Sequence, residues 1–178
     1  VETPSITVRE ARPEDAEGIS RVHVDSWHST YRGIVPDSYL DGMTYEQRTP
    51  RWSARLTAPD RTDFIFVAET AEGEVVGFAA GGPERGSDPD YDGELYAIYI
   101  RKEHQGQGIG RRLAEATRRR LVQAGMQHML VWVLESNPSR HFYEALGGRP
   151  ISTKEIDIAG TLLPERSYGW RNVASIEF

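Results

Sequence analysis

The sequence predicts an α/β fold in which a mixed β-sheet carries packed helices. Three observations predict it. Alternating or wholly apolar runs of strand length recur along the chain, several of them separated by Gly-containing turns. Longer stretches with apolar residues at helical spacing open on Pro or Asn-Pro and close on Gly. A strand–helix–strand unit across residues 94–134 demands local parallel pairing, whereas the hairpins elsewhere demand antiparallel pairing.

Taken in order, Ile6-Thr7-Val8-Arg9 alternates and predicts a short first strand. Pro13-Glu14-Asp15 opens a helix, with Pro at its first position and acids where the helix dipole favours them. Ala16, Ile19, His23, Ser26, Trp27 and Thr30 fall near one face of it, and Gly33 ends it. Pro36-Asp37 starts a second helical region reaching about Leu56, expected to break near Gly42 and again near Pro50. Phe64–Ala68 and Val75–Ala80 read as a strand pair turned at Glu72-Gly73. Gly81–Gly93 is a polar loop and Glu94–Ile100 the next strand. A helix from about Gly108 to Gln123 has Ile109, Leu113, Ala116 and Leu121 as its apolar stripe and stops at Gly125. His128–Leu134 is a strand, and Asn137-Pro138 opens a helix that Gly147-Gly148 closes. Two last strands, Ile151–Ile158 and Leu162–Trp170, flank Ala159-Gly160.

A chain of 178 residues is long enough for one real core and short for two, so a single domain over 1–178 is expected. No apolar run reaches the length of a membrane span. Val1-Glu2-Thr3-Pro4 lacks the basic start and apolar stretch of a signal peptide, and the expectation is a soluble, cytoplasmic protein. The absence of cysteine excludes disulfides, thiolate metal sites and Cys nucleophiles. His23, His28, His104, His128 and His141 form neither H-x-x-x-H nor H-E-x-x-H, and no metal is expected. A net charge of −6 argues against a nucleic-acid partner and suits a cationic small molecule.

The most informative segment is Gln105-Gly106-Gln107-Gly108-Ile109-Gly110-Arg111, between an apolar strand and an amphipathic helix. Glycines permit close approach of a ligand to the backbone. The helix start adds unpaired N–H groups and the positive end of a dipole, which together suit a pyrophosphate. Gly106 and Gly108 fit a dinucleotide fingerprint, but its sixth position is Arg111, and the Gly-Lys-Ser/Thr of a P-loop is absent. What is present is Gln-x-x-Gly-x-Gly, from Gln105 through Gly108 to Gly110. In this the chain resembles the GNAT superfamily of acetyl-CoA-dependent N-acetyltransferases, whose Gln/Arg-x-x-Gly-x-Gly/Ala turn follows the fourth strand. The element order agrees over nearly the whole chain. The resemblance implies a mostly antiparallel central sheet flanked by helices on both faces, with strands splayed at the acetyl-CoA site. It implies acetyl-CoA as acetyl donor, with no metal. Its pyrophosphate would lie on Gln105, Gly106, Gln107, Gly108, Ile109, Gly110 and Arg111, and its pantetheine arm beside Ile98, Tyr99 and Ile100. Arg111 and Arg112 oppose the dipole of the first helical turn, a cost that a bound polyanion offsets. Arg118-Arg119-Arg120 is read as a solvated face.

Val131 to Gly148, with Asn137, Phe142-Tyr143 and Leu146-Gly147, resembles the family's strand–Asn–helix segment. The resemblance implies that Asn137 bonds the pantetheine arm or its diphosphate end, and that Tyr143 protonates the leaving CoA thiolate. A thiolate leaving near neutral pH gains from a proton donor within hydrogen-bond range, and a phenol can serve. Asn137 fits equally as a helix N-cap ahead of Pro138, and Tyr143 as a core aromatic beside Phe142. An amine must be neutral to attack a thioester, and Glu94 is the candidate base, at a strand position where many family members carry a Glu. Alternation puts Glu94, Tyr96, Ile98 and Ile100 on one face unless a bulge intervenes. A main-chain N–H near Ile98–Ile100 would polarise the thioester oxygen.

In the family the first helices cover the acceptor side. Trp27 and Tyr31, neighbours at i and i+4, are candidate substrate-binding residues together with Glu94, although Trp27 also reads as ordinary core. Glu84, Asp88, Asp90 and Asp92 either border the acceptor mouth or form a solvated turn. The expected activity is acetyl transfer from acetyl-CoA to a primary amine of a small molecule, by direct attack in a ternary complex, with a protein N-terminus as another acceptor class. The alternative is a non-catalytic acyl-CoA-binding sensor, which needs the Gly-rich turn but neither Tyr143 nor Glu94. Trp170 and the C-terminal strands are candidates for a homodimer interface.

Overall fold

In the computed structural model, which describes residues 5–178, seven strands form one sheet in the order β1-β2-β3-β4-β5-β7-β6. The strands are β1 Thr7–Glu10, β2 Phe64–Glu69, β3 Val75–Pro83, β4 Gly93–Ile100, β5 His128–Leu134, β6 Arg149–Ile158 and β7 Thr161–Arg171. The helices are α1 Ala16–Tyr31, α2 Asp37–Asp41, α3 Tyr45–Thr57, α4 Ile109–Gln123 and α5 Arg140–Ala145. Among the strands of the described residues only β4 and β5 pair in parallel, because α4 is the crossover between them. The leader reading at Val1–Pro4 lies outside the described residues. Among the described residues no helix is long and apolar enough to cross a membrane.

Helices cover both faces of the sheet. On one, Ile109, Leu113 and Leu121 of α4 and Tyr143 of α5 pack on Val76, Ala79, Leu95, Met129 and Val131. On the other, Ile19 and Val22 of α1 and Trp52 and Leu56 of α3 pack on Ile65, Val67, Phe78 and Ala80. A smaller cluster at the end of α1 joins Tyr31, Val35 and Leu40 to Leu134 of β5.

Three expectations need correction. The second helical region does break at Gly42, after which the Thr44 side chain accepts the Gln47 N–H at 3.2 Å as an N-cap. Pro50, however, lies inside α3. It stands early in the helix, so only the Glu46 carbonyl loses its partner, and Trp52 and Leu56 beyond it anchor the remainder. Arg118 is not on a solvated face. It is buried, paired with Glu115 at 2.7 Å, and donates to the Val173 carbonyl at 2.5 Å. Trp170 is also buried and donates its indole N–H to the Leu146 carbonyl at 2.9 Å, so it presents no ring to a partner.

The β6–β7 turn supplies a first prediction. Ala159 and Gly160 have φ of +52° and +83°, the left-handed pair of a two-residue hairpin, and the Asp157 carboxylate accepts the Gly160 N–H at 2.7 Å. Alanine in this region costs about 1 kcal/mol that asparagine largely avoids. Ala159→Asn is therefore expected to raise the urea midpoint by the equivalent of about 1 kcal/mol with the m-value unchanged. An unchanged or lower midpoint would show that the tip does not hold this conformation in solution.

Candidate active site

The bonding phase of β4 determines where a ligand can enter. Arg101 donates its N–H to Val76 at 2.9 Å, so residues at even spacing from it, Tyr99 and Ala97, turn their main-chain groups toward β3. Ile98 and Ile100 turn theirs the other way. On that side β5 pairs only Met129–Val131, with Gly93–Leu95. Beyond Leu95 the two strands separate, and a cavity of about 530 Å³ lies at the gap, lined by β4 from Tyr96 to Ile100 and by Trp132, Val133 and Leu134 of β5. The Ile100 carbonyl is capped by the Gln105 side-chain amide at 3.1 Å, and the Ile98 main chain remains to meet a ligand.

A bulge accompanies the separation. Ala80 pairs with Ala97 and Gly81 with Leu95, which leaves Tyr96 as the extra residue. The bulge reverses the alternation, so Glu94, Tyr96, Ile98 and Ile100 do not share one face. Ile98 and Ile100 pack with Leu95 on the α4 side, whereas Tyr96, Ala97 and Tyr99 pack toward α1 and α3.

At one end of the cavity is the Gly-rich turn. Gly106 and Gly108 have φ of +74° and +76°, and a Cβ at either would meet no neighbour within 4 Å. These two glycines answer to backbone conformation and to open space that a ligand can enter. Gly110 answers to packing, since a Cβ there would lie 3.2 Å from Ile100 Cδ1 and from the Phe142 ring. The first N–H groups of the fifteen-residue α4 start at this turn. Gln105, Gly106, Gly108, Ile109, Gly110 and Arg111 line the cavity. Gln107 does not: its amide turns back to the Glu103 carbonyl at 3.3 Å. His104, also in the lining, has a buried Nδ1 with no hydrogen-bond partner among the described residues. An orphaned nitrogen, a helix N-terminus and open glycines fit a pyrophosphate.

Beside the gap stands a group of phenols. Asn137 Oδ1 accepts the Ser139 N–H at 2.9 Å in the turn ahead of α5, whose N-cap is Ser139 rather than Asn137, and its Nδ2 donates to the Tyr31 hydroxyl at 3.0 Å. Tyr31, Tyr99 and Tyr143 all line the cavity. Burial raises Tyr143 well above the usual phenol range, and the nearby Tyr31 adds to the rise. Burial likewise raises Tyr99 and Tyr31, the latter partly offset by its hydrogen bonds with Tyr99 and Asn137. All three hold their protons through neutral pH. The Tyr143 hydroxyl has no hydrogen-bond partner among the described residues, so it is open to a ligand. Trp27 also lines the cavity, with its ring 4.4 Å from that of Tyr31.

Glu94, like Gln107, is a predicted site residue that the fold does not bring to this place. It is buried near the start of β4, where Arg85 grips its carboxylate at 2.7 Å and 3.3 Å and adds a main-chain N–H at 3.1 Å. It does not line the cavity. The loop acids are engaged locally, with Asp92 exposed: Glu84 caps Gly86 and Asp88, and Asp92 caps Gln127 and His128. Sequence reasoning missed Trp132 and Glu165, which the structure adds to the lining.

A fold with helices on both faces of a splayed mixed sheet, and a phosphate cradle opening on a buried phenol, defines an acyltransferase that works on a CoA thioester. The model of the Acetyltransferase (GNAT) family matches residues 24–148, and the chain belongs to that family. As a member it is an acetyl-CoA-dependent N-acetyltransferase. It is 41% identical over 172 residues to YuaI, an uncharacterized N-acetyltransferase of Bacillus subtilis, covering 97% of this chain and 96% of that protein. Among solved structures, yncA from Salmonella typhimurium with its cofactor acetyl-CoA superposes with a TM-score of 0.68 at 21% identity, covering 94% of each chain. PaiA N-acetyltransferase from Thermoplasma acidophilum in complex with coenzyme A gives 0.65 at 20% identity, covering 91% of this chain and 98% of that one. At these identities the two structures establish a shared fold.

Proposed function

We propose that this chain, as one N-acetyltransferase domain over 1–178, transfers the acetyl group of acetyl-CoA to the primary amine of a small molecule by direct attack in a ternary complex. The observation that carries this reading is that the α4 N-terminus and the unpartnered Tyr143 hydroxyl open on one cavity. Acetyl-CoA supplies a thioester whose carbonyl carbon is open to an amine. The main-chain amides at Gly106–Gly110, with Arg111, hold its pyrophosphate. Asn137 keeps Tyr31 in place and has a second amide N–H for the pantetheine arm. The Ile98 N–H faces the gap and polarises the carbonyl oxygen. Tyr143, kept protonated by burial, donates to the departing sulfur. Glu94, neutralised by Arg85, anchors the loop before β4, and the catalytic carboxylate is sought elsewhere.

The test is incubation with acetyl-CoA and a broad panel of primary amines, following free thiol. Turnover on at least one amine is expected. Tight CoA binding without turnover on any of them would favour a silent acyl-CoA sensor instead.

A further inference from the structure

Glu165 of β7 stands in cross-strand register with Leu134 of β5 and Lys154 of β6. Residues opposite one another share a sheet face, and Trp132, two residues before Leu134, shares it too. This face packs toward the end of α1, where Trp27 and Tyr31 meet Leu134. Glu165 is only 8% exposed, yet it lines the cavity. The Lys154 Nζ lies 3.4 Å from its Oε1 and 4.0 Å from the centre of the Trp132 ring. The structure therefore already shows an alkylammonium between this carboxylate and this indole face, the pairing that recognises cationic amines. Lys154 is half exposed on an edge strand, and an exposed lysine holds such a place weakly.

Resting on the N-acetyltransferase reading, we propose that Glu165 is the carboxylate of the acceptor site: the ammonium of a small primary amine with an apolar body takes the place of Lys154 on it, and Glu165 removes its proton. The apolar body lies against Trp132, Ile156 and Ile158, which line the same end of the cavity. One ammonium N–H bond breaks and the proton passes to a Glu165 oxygen. The freed lone pair forms the C–N bond at the thioester carbon. The C–S bond breaks, its electron pair leaves on sulfur, and the Tyr143 phenol supplies the thiol proton. The extra proton on nitrogen returns to Tyr143, and Glu165 releases its own to solvent. The titratable groups facing Glu165 are Lys154 from β6 and Tyr31 from α1, with Tyr99 of β4 beyond Tyr31, whereas β5 contributes Trp132 and Leu134. Arg166 turns to the opposite face and pairs with Glu135 at 2.6 Å.

The experiment compares wild type, Glu165→Gln, Glu94→Gln and Lys154→Met with acetyl-CoA and four probes: hexylamine, phenethylamine and their alcohol counterparts. Steady-state kinetics from pH 6 to 10 and calorimetric titration of each probe with CoA present are both recorded. Glu165→Gln is expected to lower kcat/KM about 10²- to 10³-fold at neutral pH. The deficit shrinks toward pH 10, near the ordinary alkylammonium pKa of about 10, where the amine is already neutral. Lys154→Met is expected to lower the amine KM roughly 2- to 5-fold by removing a competitor. Wild-type turnover with an unaltered rate and pH profile in Glu165→Gln overturns the proposal while leaving the acetyltransferase reading intact. A loss rescued by alkali in Glu94→Gln rather than Glu165→Gln overturns it as well. Amine-over-alcohol binding that disappears in Glu165→Gln, without turnover in wild type, supports the ammonium site and defeats the activity reading. No preference for amines over alcohols, in binding or in turnover, overturns the ammonium site. Should Glu165→Gln fail to fold, an unchanged KM in Lys154→Met counts against the proposal and a lowered one supports it.

Discussion

Tyr143→Phe is expected to lower kcat by about 10²- to 10³-fold while leaving CoA affinity and thermal stability near those of wild type. The substitution deletes one oxygen. The ring keeps its neighbours, Phe142 with centroids 5.4 Å apart and Tyr168 at 6.4 Å, so packing is retained. The hydroxyl has no partner within the described chain, so its removal leaves no buried group unsatisfied and stability has little to lose. A core aromatic would therefore show neither a kinetic nor a stability effect, and a proton donor would show only the kinetic one. The pH profile adds a second check. A donor acts only while protonated, and burial raises this phenol above its ordinary value of about 10. The alkaline limb attributable to Tyr143 therefore lies above pH 10, and the wild-type enzyme keeps its donor throughout the neutral range. Wild-type kcat in Tyr143→Phe, measured with saturating acetyl-CoA and an accepted amine, would remove Tyr143 from the mechanism.

Legibility in the sequence followed the range of the interaction concerned. Local punctuation marks the element order: Pro13 before α1, Gly125 after α4, and Ala159-Gly160 between the last strands all act within a few residues. The geometry of the α4 turn was legible for the same reason, because its left-handed glycines and helix start lie in one segment. The bulge at Tyr96 was not, since it exists only as a mismatch between β3 and β4. Nor was the fate of Glu94, which depends on Arg85 folding back from a loop nine residues earlier. Glu165 was invisible for a longer-range reason. Leu163, Glu165 and Ser167 alternate with Leu162, Pro164, Arg166 and Tyr168, and both sets mix polar with apolar residues. The inward set becomes apparent only once β7 is inserted between β5 and β6, which no local pattern announces.

Gly108→Val is expected to weaken CoA binding about 10²-fold and to leave binding of pantetheine, which lacks the pyrophosphate, nearly unchanged. Gly108 is the N-cap of α4 at φ +76° and ψ 2°, a conformation that a β-branched residue essentially does not adopt. The backbone must then either remain left-handed, at a cost of about 1–2 kcal/mol or more, or rotate and turn the first N–H groups of α4 away from the anion. Loss of one or two charge-assisted hydrogen bonds, about 1.5–3 kcal/mol each, accounts for a hundredfold effect. No steric clash inside the protein enters, because a Cβ at this position meets nothing within 4 Å. Gly110→Ala makes the useful contrast. Its Cβ presses on Ile100 and Phe142, which wall the cavity, so it should impair CoA and pantetheine alike. Calorimetric titration of both ligands against both variants separates the two glycines. If Gly108→Val lost stability in urea but bound CoA as wild type does, the turn would be a packing device and the pyrophosphate would have to be held elsewhere. If it lost CoA affinity and kept pantetheine affinity, the α4 N-terminus would be the phosphate site, and the direction in which the thioester enters the gap between β4 and β5 would follow from it.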